Sequence, residues 1–307
     1  MTEPRPLPGA QLLRRRRRFA LLLIAPAALL VLAVALVPAT WSLVLSLQSR
    51  DLSGGTAAVH WVGLANYRDW LSDPVFHHAV MRSVVWTVCS VGLQLVLGLG
   101  VALLLQRAFP GRGLVRALVL IPWVLPIVST ANIWVWMFND VYGILNTALL
   151  ALGVIRTPIP WLSASEFALP SAILVKTWRE FPFSALMLMA ALQAIPAELY
   201  EAARLDGARA WRRFIHVTLP GIRLVVLVIL MLQTIWTFND VTTLYLLTRG
   251  GPGDATTTLP ILVYNTAFGA GALSRGASGA VMMFIVVLVL IATFFVLYNR
   301  AESRLRA

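Results

Sequence analysis

Six side chains in two apolar stretches of this 307-residue chain are of types that could handle a polar cargo. Lys176 and Glu180 lie in one stretch, and Gln233, Trp236, Thr237 and Asp240 in the other. The second set recurs at three, four and seven residues, which puts it on one face of a helix. Gln, Thr and Asp offer hydrogen-bond partners for hydroxyls, and Trp offers a flat apolar surface, the combination a polyhydroxylated ligand needs. A charged side chain at the centre of a membrane helix costs about 2.5–3.5 kcal/mol, so such groups face protein or water. Two readings of Lys176 and Glu180 stand: an i,i+4 pair that neutralises itself, or groups that touch cargo. Trp236 has an alternative as an interfacial anchor or packing residue. Asp240 has one as a solvated group near an outer mouth. Pro182 lacks a backbone donor and predicts a weak point in its helix. Broken polar helices near the midplane mark transporter binding sites.

A second constellation runs from Ile195 to Pro220. Pro196 suits a first helical turn, and Glu198 sits near the positive end of that helix's dipole. Gly207 predicts a left-handed cap. A second helix from about Ala208 groups Trp211, Phe214 and Ile215 on one face, with Pro220 separating it from the next apolar run. A basic amphipathic loop lying on anionic lipid is one reading. Glu198, Glu201 and Asp206 argue against it, because carboxylates are unfavourable at an anionic surface and suit a protein partner.

The elements that position these residues follow from composition. The chain is 59% hydrophobic and only 12% charged, against about 25% charged in soluble domains. That composition describes a polytopic membrane protein. Six stretches meet the length of about 20 residues needed to cross the hydrocarbon: 19–47, 84–105, 114–138, 167–195, 222–247 and 279–298. The shorter run 144–155 reads as interfacial or re-entrant. With the N-terminus inside, the cytoplasmic pieces hold 17 Arg and 5 acids, while the external pieces hold 6 Arg and 6 acids. The remaining charges, Lys176, Arg179, Glu180 and Asp240, cancel. The whole net charge of +12 thus lies on one side, as the positive-inside rule requires. The organisation is a basic tail (1–18), a membrane domain (19–299) containing the loop 196–220, and a short C-terminal tail (300–307), both tails cytoplasmic.

Other functions are excluded or left without support. The Arg14–Arg18 run precedes an apolar segment, so it orients that segment and does not indicate nucleic acid. That first apolar stretch is longer than the core of a signal peptide, so it is a retained span. Lys176 is the single lysine, and no glycine stands one or six residues before it, so there is no phosphate-binding P-loop. Any ATP hydrolysis, with its Mg, belongs to another polypeptide, and the chain is not an enzyme. One cysteine and four scattered histidines give no metal site.

Glu201-Ala202-Ala203, then Gly207, then Val217-x-Leu219-Pro220 resembles the "EAA" loop of binding-protein-dependent ABC importer permeases. Trp61-Val-Gly-Leu-Ala-Asn-Tyr67, Leu120-Ile-Pro-Trp123, Tyr142-Gly143-Ile-Leu-Asn146 and Leu247-Thr-Arg-Gly-Gly-Pro252 resemble segments of the maltose-type carbohydrate permeases. The resemblance implies an all-α, six-span integral membrane protein of the type I ABC importer permease fold, in a bacterial cytoplasmic (inner) membrane. It implies a second homologous permease, two ABC ATPase subunits and an extracytoplasmic solute-binding protein as partners, and a carbohydrate cargo, with sugar phosphates and polyols moved by close relatives. By that analogy Glu201 and Gly207 set the ATPase docking geometry, and Ala202 and Ala203 permit close approach. Lys176, Glu180 and Phe183 fall on cargo-contact positions of the fourth span, and Gln233, Trp236, Thr237 and Asp240 on those of the fifth. The maltose permease has uncharged residues at the positions of Lys176 and Glu180. An ion-coupled secondary carrier is the rival reading, with Glu180 and Asp240 as coupling groups.

Overall fold

The computed structural model describes residues 8–49 and 59–306. The first seven residues of the basic tail, the Gly54-Gly55 turn and Ala307 lie outside the described residues. In hydrocarbon every backbone N–H and C=O must be satisfied within its own segment, so the apolar stretches become helices. Among the described residues, four helices are long and apolar enough to cross a membrane, and the number reaches six if two bent pairs each count as one span.

Helix α1 (Pro8–Ser46) continues back through the arginine run. Its apolar side chains from Phe19 to Val37 are largely exposed, as a lipid-facing helix requires. It runs alongside the last helix, α12 (Leu273–Arg306), and is fastened at its C-terminal end. There Asn66 Nδ2 donates to Ser46 O at 2.8 Å and Gln48 O at 2.9 Å, and the Tyr67 and Ser46 hydroxyls share a 2.6 Å bond. A two-residue pairing of β1 (Gln48–Ser49) with β2 (His60–Trp61) and the short helix α2 (Ala65–Ser72) complete the clamp. The Trp61–Tyr67 motif therefore serves as the anchorage of α1.

The centre is α3 (Pro74–Gln106) packed along α7 (Ser165–Gln193), with α10 (Leu219–Phe238) against both. Gly98 permits the close approach of α3 to α7: a Cβ there would stand 2.6 Å from the Ser184 Cβ and 3.0 Å from the Ala185 nitrogen. Apolar clusters occupy both ends of this trio. Trp86, Trp134, Phe138, Ile173, Leu244 and Ile261 fill one, and Leu188, Leu192, Ile222 and Ile229 the other.

Three of the expected elements differ. The stretch 114–138 is not one straight helix. It is α4 (Arg112–Val124) and α5 (Ile127–Met137), whose axes differ by 95°. Leu125 is extended (φ −63°, ψ 137°) because the ring of Pro126 disfavours helical geometry in the residue before it. Conversely, α7 runs unbroken for 29 residues through Pro170 and Pro182. The lost hydrogen bond at Pro182 is outweighed by the close packing of the next turns, at Ser184 and Ala185, against α3. The break falls instead in the fifth stretch, where 222–247 divides into α10 and α11 (Thr242–Thr248) at residues 239–241. Nor does Pro220 separate the hairpin from α10, since Ala210–Phe238 is one continuous helical rod. A wide turn at Phe214–Thr218, in which Leu219 N–H bonds the Phe214 carbonyl, makes room for the proline ring that would otherwise strike the carbonyl four residues back. The run after Asn139 forms the eight-residue helix α6 (Ile144–Ala151), too short to cross, in keeping with the interfacial reading.

Candidate functional site

The charged residues of α7 meet the end of α10. Lys176 Nζ lies 2.8 Å from Asp240 Oδ2 and 3.6 Å from Glu180 Oε1, and Arg179 pairs with Glu180. The side chains of Lys176, Glu180 and Asp240 are only 5%, 8% and 7% exposed. Asp240 is therefore not a solvated group at an outer mouth, and its main partner is 64 residues away in sequence. It also accepts from the Thr243 backbone N–H at 3.0 Å and hydroxyl at 2.6 Å, which caps the first turn of α11. Lys176 is the twelfth residue of α7, about 17 Å along it at 1.5 Å per residue. The α10–α11 break therefore lies well inside the depth spanned by α7.

The remaining fifth-span residues divide into two groups. Gln233 and Thr237 are fully buried between helices. Gln233 Nε2 donates to Glu180 O at 3.3 Å, and the Thr237 carbonyl accepts from Trp86 Nε1 at 2.9 Å. Trp236, by contrast, is 45% exposed. Its ring meets Phe183 edge to face at 5.2 Å between centroids, and Phe183 in turn lies 6.0 Å from Trp123 of α4. Trp123, also partly exposed, was not among the residues singled out for cargo. The Leu120-Ile-Pro-Trp123 motif carried it, but nothing local places α4 beside α7. Three aromatic rings thus form an open surface beside a closed, self-neutral ion cluster. Among the described residues no group of His, Cys, Asp and Glu side chains could hold a metal ion.

The hairpin follows its own local rules. Helix α8 (Ala197–Leu205) starts after Pro196 and carries Glu198 in its first turn. Gly207 takes φ +72°. Its N–H bonds Arg204 O at 3.0 Å, and Ala208 N–H bonds Ala203 O at 2.9 Å, closing the helix with a left-handed cap. The short helix α9 (Ala210–Arg213) then leads into the wide turn. Tyr200 ties the two limbs through a 3.0 Å bond to Thr218, and Gly221 allows Ile195 to within 2.8 Å of where a Cβ would stand. Glu198, Glu201, Ala202 and Asp206 are exposed, Ala203 is half-buried, and Leu219 and Pro220 stand exposed where the hairpin joins α10. Trp211, 69% exposed, stacks on Phe214 at 5.6 Å. A cleft of about 540 Å³ between the hairpin and the end of α3 is lined by Glu201, Arg204, Arg213 and Arg107. The arrangement presents a rigid, mixed-charge knob with an aromatic edge, joined directly to the rod that ends at Asp240.

A bundle of helices long and apolar enough to span a membrane, with such a projecting hairpin, defines a class. Residues 94–307 match the family described as binding-protein-dependent transport system inner membrane component, and the chain belongs to it. It is 37% identical over 274 residues to the trehalose/maltose transport system permease protein MalF of Thermococcus litoralis, covering 89% of this chain and 91% of that one. It is 35% identical to the sulfoquinovosyl glycerol transport system permease protein SmoG of Agrobacterium fabrum, covering 91% and 89%. To the trehalose transport system permease protein SugA of Mycobacterium tuberculosis it is 33% identical, covering 93% and 90%. Among solved structures, a chain of a bacterial ABC transporter involved in the import of the acidic polysaccharide alginate superposes with a TM-score of 0.78 over 94% of this chain and 99% of that one, at 20% identity. The shared fold is that of ABC importer permeases.

Proposed function

We propose that this chain is the carbohydrate-translocating permease subunit of an ATP-driven importer in a bacterial inner membrane. Its sugar arrives on an extracytoplasmic binding protein, and ATP, with Mg, is hydrolysed on separate ATPase subunits. The reading is carried by one observation: relatives at 33–37% identity over about nine-tenths of the chain are named as permeases for trehalose/maltose, sulfoquinovosyl glycerol and trehalose. The open Trp123–Phe183–Trp236 aromatic surface, suited to a sugar ring, agrees with it. The subunit pairs with a second homologous permease and with two ATPase copies, and both its termini are cytoplasmic. That orientation places the α8–α9 hairpin on the cytoplasmic face, where Glu198, Glu201, Ala202, Ala203, Asp206 and Gly207 dock into an ATPase groove. Closure of the ATPases pushes the hairpin, and the rod from Ala210 to Phe238 carries the movement to the Asp240 break. There the α7–α10 contact parts and brings Lys176, Glu180, Gln233, Thr237 and Asp240 within reach of cargo already resting on Phe183 and Trp236.

The test is uptake of radiolabelled sugar by cells carrying the whole transporter. Glu201→Lys and Gly207→Asp are expected to abolish ATP-coupled uptake while the subunit remains inserted in the membrane. Uptake that survives both changes and collapses with the proton gradient would replace this reading with an ion-coupled carrier.

A further inference from the structure

The face of α3 that meets α7 and α10 is polar. Thr87, Ser90 and Gln94 recur at three and four residues, so they share one helix face, and Gly98 continues the row. Two contacts fix where this face points. At one end the Trp86 indole N–H reaches the Thr237 carbonyl of α10 at 2.9 Å. At the other, Gly98 backs onto Ser184 of α7, whose hydroxyl lies 3.5 Å from Gln233 Nε2 of α10. Residues 86 to 98 span about 18 Å of helix. Within that interval lie Thr87 Oγ1, Ser90 Oγ, both amide atoms of Gln94, Gln233 Oε1 and Thr237 Oγ1. All six atoms are buried, and none has a hydrogen-bond partner among the described residues.

A buried polar atom left unpaired costs about 1–3 kcal/mol. Six of them along one interface would cost as much as the whole stability of a typical domain. Protein interiors meet such demands with ordered water, each molecule making about three hydrogen bonds to otherwise unsatisfied groups. These atoms are hydroxyls and amides, which both donate and accept, as water does. The nearby carboxylates Glu180 and Asp240 are already held by Lys176 and Arg179, so a bound cation has no free anionic ligand here.

We propose that the α3–α7–α10 interface binds a file of ordered water molecules held by Thr87, Ser90, Gln94, Gln233 and Thr237. This hydrated seam borders the Lys176–Asp240 pair. Helices whose polar groups bond through water can shift past one another by exchanging water bonds, without stranding a donor or acceptor. The seam is thus a movable joint at membrane depth, and it stands whatever the cargo is.

X-ray radiolytic labelling in ¹⁸O water of the complete, purified transporter tests it. Radicals form where water is bound, so Trp86, 1% exposed but reaching across the seam to Thr237, is expected to take up ¹⁸O faster than Trp134, a member of the same apolar cluster that is 8% exposed yet packed against the rings of Phe138 and Trp178. Gln94→Leu and Thr87→Val, each checked for normal assembly with the partner subunits, are expected to lower Trp86 labelling several-fold and leave Trp134 unchanged. Trp86 labelled no faster than Trp134 in the unaltered transporter overturns the proposal. So does Trp86 labelling that both assembled variants leave intact. If neither variant assembles, the ratio in the unaltered protein decides.

Discussion

Removing the charge of Lys176 tests whether the ion cluster holds α7 to the end of α10. At 2.8 Å from Asp240, with an effective dielectric near 20, the gross attraction is about 6 kcal/mol. Desolvation of both groups offsets much of it, yet breaking a buried pair from one side costs about 3–5 kcal/mol because the other charge is stranded. Lys176→Met leaves Asp240 only its two bonds from Thr243, and a destabilisation of about 3 kcal/mol or more is expected. Asp240→Asn keeps the cap on α11, since the amide oxygen still accepts from Thr243. Lys176 then retains only Glu180 at 3.6 Å, already engaged by Arg179. The double variant Lys176→Met/Asp240→Asn strands neither member of the pair and is expected to cost at least about 2 kcal/mol less than the sum of the single changes. The measurement is unfolding of the purified complex in a detergent-denaturant titration, with all three variants in parallel. Additive costs, or single variants each within about 0.5 kcal/mol of the unaltered protein as ordinary surface changes are, would refute the reasoning.

Other outcomes follow from the same contacts. Gly98→Leu puts a branched side chain where Ser184 and the Ala185 backbone already stand; it is expected to destabilise by about 1–3 kcal/mol or more and to lower the amount of inserted subunit on immunoblots. Asn66→Ala removes both bonds to the end of α1, and limited proteolysis is expected to release α1 faster while the rest of the chain stays protected. Gly207→Val is expected to cost about 1–2 kcal/mol at φ +72°, and Gly207→Asn clearly less because Asn tolerates the left-handed region, as read from thermal unfolding of the complex. Trp236→Ala removes one ring from the aromatic surface. About tenfold weaker sugar uptake with the ATPase still bound is expected, a loss of about 1.4 kcal/mol, and unchanged transport would remove Trp236 from the path.

Much of the fold was legible because lipid leaves a chain few options. Run length gave the helices. The hairpin was readable for a local reason: Pro196, Glu198 and Gly207 act within a turn of themselves, and the structure has the helix start and the left-handed cap where those residues put them. The prolines were harder to read. Pro126 divides its span into two helices 95° apart, Pro182 sits in an unbroken one, and Pro220 is absorbed by a widened turn. Each outcome depends on what packs around the ring, which the local sequence does not contain. The Lys176–Asp240 pair illustrates the same limit. An i,i+4 partner at Glu180 was visible at once, whereas the closer partner, Asp240, comes from the break after α10. Gln94, Ser90 and Thr87 drew no attention in the sequence because hydroxyls and amides in an apolar run carry no charge signal. Their meaning depends on α7 and α10 closing over them.

The unbroken helix from Ala210 to Phe238 has a mechanical consequence. Its 29 residues make a strut of about 43 Å, with Trp211 at one tip and Asp240 just past the other. In the proposed cycle, a nudge of a few ångströms on the hairpin is passed along this strut to the far tip, where one lysine holds the catch.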